Sequence, residues 1–316
     1  MLYLFPFTTS LNFLFFWLTW TTLVLSHSPL RVELLGTAAT RLLFYLFPSS
    51  LFFLFDVLFP SASASIKAQG QIALPTGHRR RKLGATEIWI VAWSLLNLVL
   101  SVTAQAIVEY MLTKILRVKS AIQVSVRLPY PWALLVDLVR GFILREILTY
   151  VLHRFVLHNP RFHIAHAHQT WYHSLRAPWS LTCHYDHPIA YFIWKFIPLY
   201  LPAAIFRFHM ITYMAFVALV SLEESVSHCG YASVPVGILL GRVARRTDLH
   251  VISGGEGNYS LWGVLDWLGG STIEVSTEDA PEESEVDVEE AIRRAVEESK
   301  RRVTQPRSRA RRRKDL

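Results

Sequence analysis

Long apolar runs alternate with short polar and basic segments along this chain. A run of about 20 predominantly apolar residues can cross the hydrocarbon core of a bilayer as an α-helix. Runs of this kind occupy residues 2–25, 34–59, 88–112 and 132–152. A fifth run, 189–222, is long enough to form two helices joined by a tight turn. The pattern therefore predicts an all-α integral membrane protein with about four spans plus a helical hairpin.

Two of these runs carry features that refine the prediction. Residues 2–25 lack a basic start and a small-residue cleavage site, so they are expected to be a retained anchor rather than a cleaved signal. The run 132–152 contains four charged residues, Asp137, Arg140, Arg145 and Glu146. Charges inside a span are costly, so they should face the protein interior or lie near the membrane interface.

The polar segments divide the chain into four regions. We expect anchor spans at 1–60, a basic loop at 61–87, a membrane domain at 88–275 and a charged tail at 276–316. In the tail, Glu and Arg recur four residues apart in the favourable order, which predicts a solvated helix over 286–303 before a disordered basic end.

Composition supports a membrane protein and argues against a nucleic-acid partner. Hydrophobic residues make up 52% of the chain and the mean hydropathy is +0.30, above the usual range of soluble proteins. The net charge of +8 is concentrated in the block 79–82 and in the last dozen residues. Beside so much apolar sequence, such blocks are typical of a cytosolic membrane surface. Placing the block 79–82 in the cytosol also brings the segment after 152 and the tail to that side.

Histidines are concentrated between the fourth apolar run and the hairpin. Eight of the thirteen lie within residues 153–187, and His228 and His250 follow downstream. Neutral imidazole is the commonest metal ligand in proteins, and it suits iron, zinc and copper. The cluster exceeds the four ligands of a structural zinc site, which favours two ions. Bis-histidine haem would leave most of the cluster unused, and the remaining interpretation is a polar cap of spare histidines.

Helical spacing predicts which of these histidines lie together. His166 and His173 would share one face of a helix, and His184 and His187 would be close neighbours. Residues 153 and 158 would point about 140° apart on a straight α-helix, so these two histidines are expected to flank a site that holds two ions.

Five short motifs appear in a specific order. They are His-Arg-Phe-Val-Leu-His at 153–158, His-Gln-Thr-Trp-Tyr-His at 168–173, His-Tyr-Asp-His-Pro at 184–188, His-Cys-Gly-Tyr at 228–231, and a block with Gly-Asn-Tyr at 257–259, Leu-Asp-Trp at 265–267 and Gly-Ser-Thr at 270–272. Over about residues 88–275 the chain thereby resembles the fatty acid hydroxylase/sterol desaturase superfamily, whose members are membrane non-haem di-iron enzymes.

The resemblance implies a cofactor, a ligand set and a reaction. The implied metal ligands are His153, His158, His168, His173, His184, His187, His228 and His250. His163 and His166 are additional candidate ligands, and Asp186 and Asp248 are candidates to orient imidazoles from behind. The implied cofactors are two iron ions and O2, with electrons from NAD(P)H through a reductase and cytochrome b5. The implied reaction is hydroxylation or desaturation of a C–H bond in a sterol or other lipid, as part of lipid biosynthesis.

The distribution of basic residues and the C-terminal sequence together predict an address in the endoplasmic reticulum, with the histidines and the C-terminus facing the cytosol. The last four residues, Arg-Lys-Asp-Leu at 313–316, resemble a dibasic retrieval signal, although a basic tail that binds anionic lipid would look the same. The glycosylation sequon at Asn258 should stay unmodified on the cytosolic side.

Three positions depart from the family pattern. Tyr172 stands where paired histidines usually end the second motif, and Thr247 and Val251 replace two histidines around His250. His163, His166, Glu223 and Glu224 are the candidates to compensate. The alternative hypothesis is a catalytically degenerate member that binds lipid or a protein partner, and metal content separates the two.

Overall fold

Helices account for nearly all regular structure in the computed structural model, which describes residues 5–77, 83–231 and 238–273. Within these ranges the only β-type pairing is an isolated bridge between Gln123 and His209. The helices are α1 (Phe5–Ser26), α2 (Pro29–Leu58), α3 (Pro60–Ile66), α4 (Ala85–Ile115), α5 (Pro131–Leu152), α6 (His163–Trp171), α7 (Pro188–Ile205), α8 (Met210–Ser227), α9 (Ile238–Ile252) and α10 (Val264–Leu268). The all-α prediction is confirmed.

Four helices of the described chain are long and apolar enough to cross a membrane, namely α2, α4, α7 and α8. The predicted hairpin is thus confirmed as α7 and α8, with the turn at Phe206–His209. The predicted run 132–152 forms the helix α5, but it is not among the four. Its four charges set α5 apart from these four more apolar helices.

The hairpin occupies the centre of the bundle. Buried residues make up 50% and 61% of the apolar windows of α7 and α8, compared with 22% and 28% for α2 and α4. The outer helices therefore keep most of their apolar side chains available to lipid, as the absence of water in a bilayer core permits.

Each of the four charged side chains of α5 has a hydrogen-bond or ion-pair partner, which offsets the cost of placing charges in an apolar helix. Arg145 is buried and donates to both carboxylate oxygens of Glu223 on α8, at 2.8 and 3.1 Å. Glu146 accepts from the backbone N–H of Trp262 at 3.1 Å. Asp137 and Arg140 pair with each other near the start of the helix.

The connector between α4 and α5 packs against the hairpin turn. Gln123 N donates to Phe208 O at 2.8 Å, and Met210 N donates to Gln123 O at 2.9 Å. α8 then runs from this turn to His228, a distance of about 27 Å at 1.5 Å per residue. The connector and the hairpin turn therefore lie at one end of the bundle, and the histidines lie at the other.

Several predicted features fall outside the described residues. They are the basic block 79–82, the tail helix over 286–303 and the C-terminal dibasic sequence.

Candidate metal centre

The fold gathers seven histidines, with Cys183 and Glu224, into two adjacent groups. The first group comprises His153, His158, His168, His173 and His250, whose ring centroids lie 4.6–5.2 Å apart in the contacting pairs. Four of them, all but His173, each offer a ligand atom within 4.8 Å of the others. The second group comprises Cys183, His184 and Glu224, whose ligand atoms also lie within 4.8 Å of one another, with His228 beside them.

A π turn brings the first two histidines together. α5 continues as a π-helix over His153–Leu157, and His158 N donates to His153 O at 3.1 Å. The i→i+5 bond of a π turn places residues five apart about one turn from each other, whereas an α-helix would separate them. Their rings lie 4.9 Å apart, so the expectation that they flank a site from opposite sides was wrong.

Hydrogen bonds behind the imidazoles fix the direction of their lone pairs. His153 Nδ1 lies 2.9 Å from Tyr259 O, His250 Nδ1 lies 2.6 Å from Gly257 O, and His168 Nδ1 lies 2.6 Å from Asp186 Oδ2. Carbonyl and carboxylate oxygens only accept, so each Nδ1 carries the proton. Each Nε2 therefore presents a lone pair, which is the arrangement that orients metal-binding imidazoles.

Two of these lone pairs point at each other. His153 Nε2 and His168 Nε2 are 3.3 Å apart, yet both are acceptors, so no hydrogen bond can join the neutral rings. Two nitrogens bound to one ion at about 2.1 Å and a tetrahedral angle would lie about 3.4 Å apart. His250 Nε2 is buried with no hydrogen-bond partner among the described residues. A cation among these nitrogens would satisfy all three rings.

Burial keeps the imidazoles neutral. It lowers the pKa of His153, His158 and His173 well below the usual value, and it lowers the pKa of His250 to about 4. Neighbouring histidines lower the pKa of each ring further. A proton is therefore a poor substitute for a metal ion in this group at neutral pH.

The second group is more crowded with polar contacts. Arg41 on α2 pairs with Glu224, and Lys195 Nζ lies 3.5 Å from Cys183 Sγ. His184 Nε2 lies 3.7 Å from Glu224 Oε2, and burial lowers the pKa of His184 to about 3. Tyr172 lies between the groups, because its ring stacks on His168 and its hydroxyl lies 3.1 Å from His228 Nε2.

Other predicted site residues lie outside both groups. His187 precedes α7, and its Nδ1 accepts from Ile189 N at 3.3 Å, so it caps the helix. The expected pairing of His184 with His187 fails because residues 183–187 form turns rather than a helix. His163 and His166 are exposed on α6, and α6 ends before His173, so the expected shared face is also absent.

The two predicted orienting carboxylates differ. Asp186 accepts from His168 Nδ1 and also from Trp194 Nε1 at 2.8 Å. Asp248 is buried, but neither of its oxygens has a hydrogen-bond partner among the described residues, so it orients no imidazole there. Burial raises the pKa of Asp248 to about 8.

The residues of both groups lie within a stretch of the sequence that matches a known protein family. Residues 138–271 match the family model described as Fatty acid hydroxylase. Over these residues the chain is similar to the fatty acid hydroxylase/sterol desaturase superfamily, as the motifs indicated. No solved structure matches the chain.

Part of the site is built from helices outside the matched residues. Asn97 on α4 donates to His184 O at 2.9 Å and to Asp186 O at 2.8 Å. Tyr45 on α2 presents its ring edge-on to His184, with centroids 4.3 Å apart. Helices α2 and α4 therefore help to position His184 and the backbone around Asp186.

The loop after α9 supports the first group, and sequence reasoning did not assign it a role. Asp266 accepts from Tyr259 N, Ser260 N and Arg246 Nη2 at 2.8–2.9 Å. It thereby fixes the segment whose carbonyls face His153 and His250. The Leu-Asp-Trp motif was the available signal, but nothing in the sequence indicated which atoms its carboxylate would bind.

The sequon at Asn258 lies in this loop. The Asn258 side chain is buried, donates to Ile273 O and accepts from Ile273 N, each at 3.0 Å. A folded chain therefore cannot offer this amide for glycosylation, so an unmodified Asn258 does not report on membrane orientation.

Gly255→Ala is expected to reduce metal binding at the first group by at least about tenfold. Gly255 has φ +88°, and a Cβ there would lie 2.6 Å from His158 Nδ1 and 3.1 Å from His173 Cε1. His158 would have to move, and displaced support of a metal ligand typically costs 10–100-fold in affinity. The measurement is metal content after dialysis against graded chelator.

Gly254→Ala is the matched control for this substitution. Gly254 has a similar backbone strain at φ +68°, but the nearest atom to its Cβ is Gln169 Nε2 at 3.9 Å. Equal metal loss in the two variants would show that backbone strain, rather than the collision with His158, is responsible.

Proposed function

We propose that this protein uses O2 to oxidise a C–H bond of a membrane lipid, at iron held by the first histidine group. The convergence of imidazole Nε2 atoms fixed by Tyr259 O, Gly257 O and Asp186 carries the proposal. The family match supports oxidation of a lipid, and the four apolar helices are consistent with a protein that meets such a substrate within the membrane. Sterols, fatty acyl lipids and other lipids fit this chemistry equally.

The proposed reaction balances with an external electron donor. Hydroxylation converts R–H, O2, two electrons and two protons into R–OH and H2O, and desaturation removes two hydrogens and yields two H2O. We propose that the electrons come from NAD(P)H through a reductase and cytochrome b5. The first histidine group would hold an iron ion, and that ion would supply the reductive activation of O2 that either outcome needs.

The protein's own residues prepare the site for this chemistry. Asp186 and the two loop carbonyls hold the rings in one tautomer, so that the ligand atoms need no reorganisation. Leu157, Trp194 and Val251 pack around the group, and their apolar side chains exclude bulk water. Among the aromatic residues near the second motif, Trp179 and Tyr185 are buried in the same apolar cluster.

We also propose that the histidine end of the bundle faces the cytosol, in the endoplasmic reticulum. The histidines lie at the opposite end from the hairpin turn, and electron donors of the proposed kind work from the cytosol. Protease added to sealed microsomes should then remove a C-terminal epitope, whereas a protected epitope would place the site in the lumen.

The function is tested by expressing the chain in a host that supplies cytochrome b5 and its reductase. The lipid extract should gain a hydroxylated or desaturated species, and the His153→Ala variant should lack it. A lipid profile identical for the two proteins would favour the alternative of a non-catalytic protein that binds lipid or a partner. The replacement of two expected histidines by Thr247 and Val251 is the reason to consider this alternative.

A further inference from the structure

The superfamily resemblance implies two iron ions, but the contacts of the second group leave little room for one. Its anionic ligand, Glu224, is paired with Arg41, which also donates to Ser221 Oγ at 3.0 Å. Its thiol, Cys183, faces Lys195. Arg41 and Lys195 are only 3% and 7% exposed. Two buried side-chain cations therefore already lie against two of the three ligand atoms.

The ring nitrogens of His228 are also engaged. Its Nε2 lies 3.1 Å from the Tyr172 hydroxyl, and its Nδ1 lies 2.7 Å from Ser227 Oγ. Tyr172 stands where the superfamily usually has a histidine. This position therefore supplies a hydrogen-bond partner for His228 instead of a metal ligand. Only His184 retains nitrogens without a hydrogen-bond partner in this part of the described chain.

The other two replaced positions supply no ligand. Thr247 Oγ1 donates to Val243 O at 3.1 Å, which is a bond within its own helix. Val251 is buried in the apolar cluster beside Leu157 and Trp194. His187, the remaining expected ligand, caps α7. All three departures from the superfamily pattern thus remove ligands, and none restores one.

Electrostatics favours the same conclusion. Arg41 and Glu224 neutralise each other, and Lys195 lies beside a thiol. A divalent ion added here would place two further positive charges against two buried cations, where low dielectric strengthens the repulsion. The first group, by contrast, has its nitrogens facing carbonyls, one carboxylate and one another.

We propose that this protein holds a single metal ion, in the first histidine group, and that Arg41 and Lys195 occupy the electrostatic place of a second ion. The inference rests on the proposed metal site of the preceding section. It assigns to Cys183, His184 and Glu224 a buried polar network that supports the site without coordinating metal.

The test is a count of ions per chain in purified full-length protein, stripped with chelator and reloaded with ferrous iron alone. We expect one iron in the wild type, one in His184→Ala and none in His168→Ala. Two irons in the wild type, falling to one in His184→Ala, would overturn the single-ion proposal while leaving the proposed function intact. No iron in the wild type would overturn the metal site itself.

Cys183→Ser provides a second variant should His184→Ala fail to fold. It replaces the sulfur atom that could bind metal with little change of volume, and the single-ion proposal expects one iron. A decrease to half of the wild-type iron content would show that Cys183 is a ligand and would overturn the proposal.

Discussion

His168→Ala should abolish both bound metal and lipid oxidation while leaving the protein folded in detergent. His168 is fully buried, its Nδ1 is held by Asp186, and its Nε2 lies 3.3 Å from His153 Nε2. Alanine removes a ligand from the middle of the group, and it also leaves the Asp186 carboxylate without one donor. The expected result is iron content at background and no detectable oxidised lipid, measured on the same preparation.

The matched control is His166→Ala, two residues earlier on α6. His166 is exposed, so its loss should leave iron content and product formation unchanged. If His166→Ala lost iron as His168→Ala does, α6 would have to present its other face to the metal, and the assignment of the first group would be wrong.

Arg41→Ala should lower the stability of the protein more than any exposed substitution on α2. Arg41 and Glu224 form a buried ion pair between α2 and α8. Removing one partner of such a pair leaves a buried charge uncompensated, which costs about 3–5 kcal/mol. For a domain of this size that corresponds to a decrease of roughly 10 °C in the midpoint of thermal unfolding in detergent.

Two comparisons sharpen this prediction. Arg31→Ala removes an exposed arginine from the same helix and should change the midpoint by no more than about 2 °C. The double variant Arg41→Met/Glu224→Leu removes both charges and should recover much of the lost stability. A midpoint for Arg41→Ala equal to that of Arg31→Ala would show that the ion pair contributes nothing.

The apolar runs predicted the helices because a long apolar helix is specified by the residues of its own segment. A span such as Ala85–Ile115 is specified by its own composition, and the hairpin followed from a run too long for one helix. At α5 the length indicated a span, while its four charges set it apart from the more apolar helices. Burial of Arg145 against Glu223, 78 residues away, could not be read from either segment alone.

The histidine site was only partly predictable, for similar reasons. The clustering of histidines indicated a metal site, but an ideal α-helix gave the wrong geometry for His153 and His158, because a π turn cannot be recognised from spacing. The sequence predicted the same role for His187 as for His184. Because α7 begins at Pro188, His187 caps that helix instead. The pairing of Arg41 with Glu224 joins residues 183 apart, so the blocked second group was not visible in the sequence.

The most direct test of the central claim is incubation of purified, iron-loaded protein with its electron donors and a lipid extract under isotopically labelled O2. We expect a lipid product that forms only when O2 is present, either carrying one labelled oxygen atom or lacking two hydrogens, and that is missing from the His168→Ala reaction. An unchanged lipid extract, from protein that holds iron and accepts electrons, would contradict the proposal that this histidine group oxidises lipid.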